Sequence, residues 1–236
     1  FFGVEDKAGM VTFFLLVLSF SSLSCLDLFI GEKKLFNVER ENGYYSTLPY
    51  FCTKVLFDFI PLRIIPTVIL SAAIYFPMGL RTDGASYFLW FVGCSTLFST
   101  FVTGYCFIVA IISPSFGAAA LFSSLLILWN TAFGGLMIQA KSLPSAFKPC
   151  RYMSPFYFAY EAIMTDILNG LHCMFDPDNA SGQGEGVHVP VPCKQMLENL
   201  GLTPENFKRD VSALIGGTFG TLFVAFVLLL IIRERK

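Results

Sequence analysis

Between Gly84 and Ala140 the chain carries no Asp, Glu, Lys or Arg. A helix crossing the hydrocarbon core needs about 20 apolar residues, so this run predicts two spans. Ser113-Pro114-Ser115 is a turn signal near its middle and divides it into Tyr87–Ile112 and Phe116–Ile138. A third charge-free run, Val211–Ile232, precedes the basic Arg233-Glu234-Arg235-Lys236. Met10–Ile30 and Val55–Met78 are nearly as apolar and complete five spans. Composition agrees: 55% of residues are hydrophobic, only 14% are charged, and there are 27 Phe, whereas a soluble domain is about a quarter charged. A soluble enzyme, a disordered chain and a basic nucleic-acid binder are excluded. The net charge of -1 gives no field that would select a polyanion.

The fold class expected is all-α: one polytopic membrane bundle over residues 1–236. Spans lie at about 10–30, 55–78, 87–112, 116–138 and 211–232. Val55–Met78 holds Asp58, Pro61, Arg63 and Pro66. Lys54 and Asp58 stand at i, i+4, so an interfacial charge cluster at the helix start is the simple reading and a buried polar site the alternative. Lys33, Lys34, Arg40 and Lys54 flank one connection and Arg233, Arg235 and Lys236 follow the last span. The positive-inside rule makes that side cytosolic. Gln139–Asp210 then lies outside and contains the sequon Asn179-Ala180-Ser181 between Cys173 and Cys193. An oxidising compartment permits those two thiols to pair; unpaired thiols or a bridge to another chain are the alternatives. Cys25, Cys52, Cys94 and Cys106 read as small apolar packing residues.

No phosphate-cradling loop, nucleophile motif or metal-ligand spacing is present, so no catalytic residue and no metal site is expected. Phe13, Val17 and Phe20 share one helix face, with lipid contact or core packing as the plain reading. Gly216 and Gly220 form G-x-x-x-G beside Ala213 and Gly217, a small-residue ridge expected to pack within the chain. Gly134-Gly135 allows close approach or a local break. Phe156–Leu168 reads as an amphipathic re-entrant or interfacial helix, too short to span. Phe1–Lys7 looks like a cut loop, so a longer parent protein is expected.

In this order the runs Glu32-Lys33-Lys34-Leu35-Phe36, Glu39 to Ser46, Asp58-Phe59-Ile60-Pro61-Leu62-Arg63, Tyr75 to Leu80, Phe133-Gly134-Gly135-Leu136 and Tyr152 to Tyr157 resemble the membrane domain of ABC half-transporters of subfamily G, the White and multidrug-resistance type. The resemblance covers nearly the whole chain. It implies an ABC-2 type exporter membrane domain without the ATPase domain and first span, with ATP and Mg bound on that missing domain. Implied partners are the ATP-binding domain, a second half-transporter (homo- or heterodimer), the lipid bilayer and a hydrophobic substrate such as a sterol, lipid, drug or pigment precursor. It implies a substrate cavity at Phe13, Val17, Phe20, Leu128 and Thr131, and an apolar gate at Leu136 and Met137. The cytosolic coupling segment, residues 32–50, would act through Glu39, Arg40, Glu41, Gly43, Tyr44 and Tyr45. Cys173, Cys193 and Asn179 fit the family's outer loop, often disulfide-bonded and glycosylated. The setting implied is the plasma membrane or an organelle membrane. A non-transporting receptor or scaffold is the alternative, and a lipid-acting membrane enzyme is disfavoured by the missing catalytic clusters.

Overall fold

The computed structural model describes residues 4–77, 85–134, 154–168, 172–175, 189–192 and 207–231. The chain is a helical bundle. Its helices are α1 (Val4–Ser21), α2 (Ser24–Glu41), α3 (Thr47–Thr53), a π-helical turn (Lys54–Phe59), α4 (Ile60–Tyr75), α5 (Ala85–Ile112), α6 (Phe116–Ala132), α7 (Pro155–Leu168) and α8 (Phe207–Ile231). Two short strands, β1 (His172–Phe175) and β2 (Val189–Pro192), pair antiparallel with His172 opposite Pro192, an addition to the all-α expectation. Among the described residues four stretches are long and apolar enough to cross a membrane: Asp6–Lys33, Thr47–Tyr75, Ala85–Ile112 and Phe207–Ile231. The described part of the remaining expected span, Phe116–Ala132, is a shorter apolar helix.

α5 is the central post. It packs on α8, α4, α7, α2, α6 and α1, and its Phe91, Phe98, Phe101 and Phe107 are buried. Each is met by a ring or a small residue: Phe14 stacks on Phe91 at 5.2 Å, Phe29 meets Phe107 edge-on at 4.5 Å and Phe156 meets Phe98 edge-on at 4.9 Å. These are favoured aromatic geometries. The Phe content therefore divides between an aromatic core and an exposed shell that includes Phe57, Phe122, Phe219 and Phe223.

The first span bends between α1 and α2. Ser19 and Ser22 hydroxyls donate back to the carbonyls of Leu15 and Leu18, a bond that bends helices. From Ser22 to Leu26 the backbone ladder tightens to i→i−3. Arg63 of α4 reaches this bend. Its guanidinium donates to the Ser21 carbonyl at 3.0 Å and to Ser24 Oγ at 2.8 Å.

Lys54 and Arg63 do not share the expected charge cluster, and the Asp58 side chain lies outside the described residues. A π-helical turn separates Lys54 from Arg63. Pro61 lacks an N–H and its ring crowds the carbonyl four residues back; a wider turn just before it relieves both. Lys54 is buried and pairs with Glu32 of α2 at 2.5 Å, while Arg63, 2% exposed, turns to the α1–α2 bend. Cys25, Cys94 and Cys106 are buried, but Cys52 is exposed and so is not a packing residue of this chain.

The small-residue ridge is also corrected. At Gly216 and Gly220 an added Cβ would meet nothing within 4 Å. At Gly217 it would lie 2.3 Å from the Phe101 ring, and at Gly104 of α5 2.4 Å from Thr221 Oγ1. The α5–α8 contact is thus built on Gly104 and Gly217, one on each helix.

α7 departs from the amphipathic expectation. Residues 155–157 and 159–165 are all buried, so the helix is covered on every side, as a helix inside a core is. It packs on α5, α8, α1 and α6. Ser154 Oγ donates to the Asn130 carbonyl at 2.9 Å, and Gly134 lets Phe156 approach, since a Cβ there would lie 3.0 Å from Phe156 Cβ.

Candidate functional site: a capped connection and two exposed apolar faces

α2 ends in a Schellman turn. Tyr44 N–H donates to the Glu39 carbonyl and Gly43 N–H to the Arg40 carbonyl, each at 3.1 Å, with Gly43 at φ 76°. A left-handed residue is needed there, and glycine takes it without a Cβ penalty. Tyr45 then folds back to donate to Glu39 Oε2 at 2.7 Å and stacks on Tyr50, which lies over Phe36 at 4.1 Å. Burial, and then the neighbouring Glu39 carboxylate, push the Tyr45 phenol up to about 12, so it stays a donor at neutral pH. Leu35, Val38, Glu41, Tyr44 and Leu48 are left exposed.

Two cations of α2 serve other helices. Lys33 Nζ donates to the carbonyls of Ile111 at 3.0 Å and Ser113 at 3.3 Å, at the end of α5. The Arg40 guanidinium donates to those of Leu229 at 3.0 Å and Leu230 at 3.4 Å, at the end of α8. The last carbonyls of a helix have no intrahelical donor and carry the negative end of its dipole. Lys33 and Arg40, read in the sequence as markers of sidedness, thus also tie the ends of α5 and α8 to α2. Their seven-residue spacing puts them on one face and could have signalled a shared role. Their targets, far away in sequence, could not be read.

Phe13 and Phe20 of α1 are exposed, Phe13 by 65%, and Val17 between them is half-buried. Phe14, Leu15 and Leu18 on the other side are buried. On α6, Leu121, Leu125 and Leu128 are exposed along one face with Phe122 and Trp129 beside it. Thr131 is not part of that face: it is buried, its hydroxyl donates to the Ile127 carbonyl at 2.8 Å, and it borders a small cavity with Thr12, Leu15 and Phe156. A larger apolar groove between α5 and α6, about 540 Å³, is lined by Val109, Ile112, Phe122, Leu125 and Trp129 among others. Leu136, Met137, Asn179 and Cys193 lie outside the described residues; Cys173 stands on β1 opposite Val191.

Burial pushes Asp166 of α7 up to about 6. A carboxyl raised in the folded state contributes stability that is fully present below its unfolded value, near 4, and is lost as pH rises through 6. Wild-type protein should therefore lose thermal stability between pH 5 and pH 8, and Asp166→Asn should lose less, by an amount on the order of 1–2 kcal/mol. Parallel pH profiles for the two proteins would refute this.

A bundle of apolar helices with a cation-capped connection at one end and uncovered apolar faces defines an integral membrane domain. The chain belongs to the ABC-2 type transporter family, whose membrane-domain model matches residues 1–168. It is 32% identical over 236 residues to ABC transporter G family member 24 of Dictyostelium discoideum, covering 99% of this chain and 20% of that protein. It is 28% identical to a probable ATP-dependent permease of Saccharomyces cerevisiae, covering 90% and 20%. It is 29% identical to the mouse broad substrate specificity ATP-binding cassette transporter ABCG2, covering 68% and 24%. The chain thus spans about a fifth to a quarter of the relatives it matches.

Proposed function

We propose that this chain is the permease part of an ATP-driven exporter of lipidic or amphipathic compounds. The observation that carries the reading is the split of α1 into a sealed face and an exposed aromatic one. Phe14, Leu15 and Leu18 hold the helix to the core, and Phe13 and Phe20 remain for a flat apolar compound. A second half-transporter would close the cavity over Phe13, Val17, Phe20 and Leu128, with Leu136 and Met137 as its apolar gate.

The ATP-binding domain, holding ATP and Mg outside this chain, would press on Val38, Glu41 and Tyr44. Because Lys33 and Arg40 hold the ends of α5 and α8, a push on α2 would move these helices together. ATP binding would thereby shift the population towards an outward-open cavity. The five-span arrangement and an outer segment with a glycan on Asn179 and a Cys173–Cys193 bridge complete this reading.

The test uses the full-length protein in lipid vesicles. Hydrophobic compounds should change its ATP hydrolysis. Phe20→Ala should raise the concentration needed for half-maximal stimulation about tenfold, or ~1.4 kcal/mol, and alter the stimulated rate more than the basal one. Unchanged hydrolysis across a broad panel would refute export; an unchanged response in Phe20→Ala would remove that face from the cavity.

A further inference from the structure

Where α7 crosses the start of α8, two carboxyl groups meet inside the protein. Glu161 and Asp210 are both 0% exposed. Arg209 donates to Glu161 Oε2 at 3.1 Å, to Asp210 Oδ1 at 2.9 Å and to the Tyr157 hydroxyl at 3.3 Å. Asp210 Oδ1 therefore has a donor. Asp210 Oδ2 is buried and has none, and the two carboxyl groups are held together by a single nitrogen, Arg209 Nη2, which donates to both. Two ionised carboxylates are acceptors only and cannot bond to each other; with one proton between them they can.

We propose that Asp210 is a proton-binding site: Oδ2 takes up one proton from solution and donates it to the Glu161 carboxylate, locking α7 to α8. The balance is simple, a carboxylate and a proton giving a carboxylic acid, with no other bond broken. Among the described residues, the titratable and charged groups on the elements packed here are Tyr157, Tyr160 and Glu161 on α7, Lys208 and Arg209 on α8, and Asp6 and Lys7 at the start of α1, which packs on α7. α5, which packs on both helices, has Tyr87 and Cys94 towards this end. Asp166 lies further along α7, beyond the Glu161 turn. The site lies where α8 begins, level with the outer end of α5, since Phe207 meets Trp90 at 5.5 Å. It depends on the α7–α8 packing alone and holds whether or not the chain exports anything.

Ionisation of Asp210 would leave a buried charge facing a second one, so alkaline conditions should loosen α7 from α8. The purified full-length protein in lipid nanodiscs is titrated by infrared difference spectroscopy, reading the carboxylic-acid C=O stretch. A band present at neutral pH, lost at alkaline pH and missing from Asp210→Asn is expected. Asparagine keeps the shape and supplies an N–H to Glu161, so this variant should fold, and its thermal midpoint should fall less with rising pH than that of the wild type. Glu161→Gln places an N–H donor opposite Oδ2, and the acid band should then disappear at a pH at least one unit lower than in wild type. Absence of any Asp210-dependent acid band in folded protein, or an unmoved band in Glu161→Gln, would overturn the proposal.

Discussion

Arg63→Ala should unfold this protein more readily than loss of any surface cation, lowering stability by about 2–4 kcal/mol. Arg63 is buried beside the bend where α1 gives way to α2. It supplies a charged donor to the last carbonyl of α1 and a second to Ser24 Oγ, which itself donates to that same carbonyl at 3.0 Å. A bend leaves backbone carbonyls without N–H partners, and an apolar surrounding offers no water in exchange. Alanine would remove both donors and leave a hole. The measurement is the thermal midpoint and the monodisperse fraction in detergent for wild type, Arg63→Ala and Arg63→Met. Methionine keeps much of the volume and none of the donors, so it should retain most of the loss. A wild-type midpoint for Arg63→Met would assign the effect to packing and sink the capping role.

Gly217→Leu should cost about 1–3 kcal/mol, and Gly220→Leu, three residues along the same helix, close to nothing in the isolated chain. A Cβ on Gly217 would clash with the edge of the Phe101 ring, and that ring is held by stacking on Tyr105 at 5.1 Å. Phe101 cannot swing away without giving up that contact or pushing α5 from α8. Gly220 faces open space, and leucine there gains helix propensity. Unfolding midpoints of the two variants decide the matter: equal losses would mean that α8 is rotated relative to α5 from the arrangement described.

Much of the architecture could be read before any coordinates. The charge-free run predicts α5 and α6 with the break at Ser113 to Ser115, and those helices end at Ile112 and restart at Phe116. Apolar length and the absence of charge are local quantities, and a bilayer reads them locally. The site was legible only in part. Helical spacing puts Phe13, Val17 and Phe20 on one face, and it is the fold that leaves the two Phe exposed there. It gave no warning that Thr131, four residues beyond Ile127, is turned inward against α7 and takes an internal carbonyl instead.

The G-x-x-x-G signal failed for a related reason. The pattern marks a ridge of small residues without saying which neighbour lies against which side. α5 comes to rest on the Gly217 side, and the Gly216 and Gly220 side stays open. α7 failed differently: its Glu161 and Asp166 suggested a polar face, but Arg209 from α8 reaches over Glu161 and lets it be buried.

Sequence by itself determined that this chain lies in a membrane, roughly where its helices run and which connections carry its cations, because hydrophobic length and charge are properties of contiguous residues. Tertiary structure alone decided what those cations do. Lys33, Arg40 and Arg63 each end on a helix carbonyl from another part of the chain, and Arg209 bridges Glu161 and Asp210. An apolar interior forces every buried polar group to find a partner, yet which partner comes within 3 Å depends on how the helices rotate and cross, and no window of neighbouring residues encodes that.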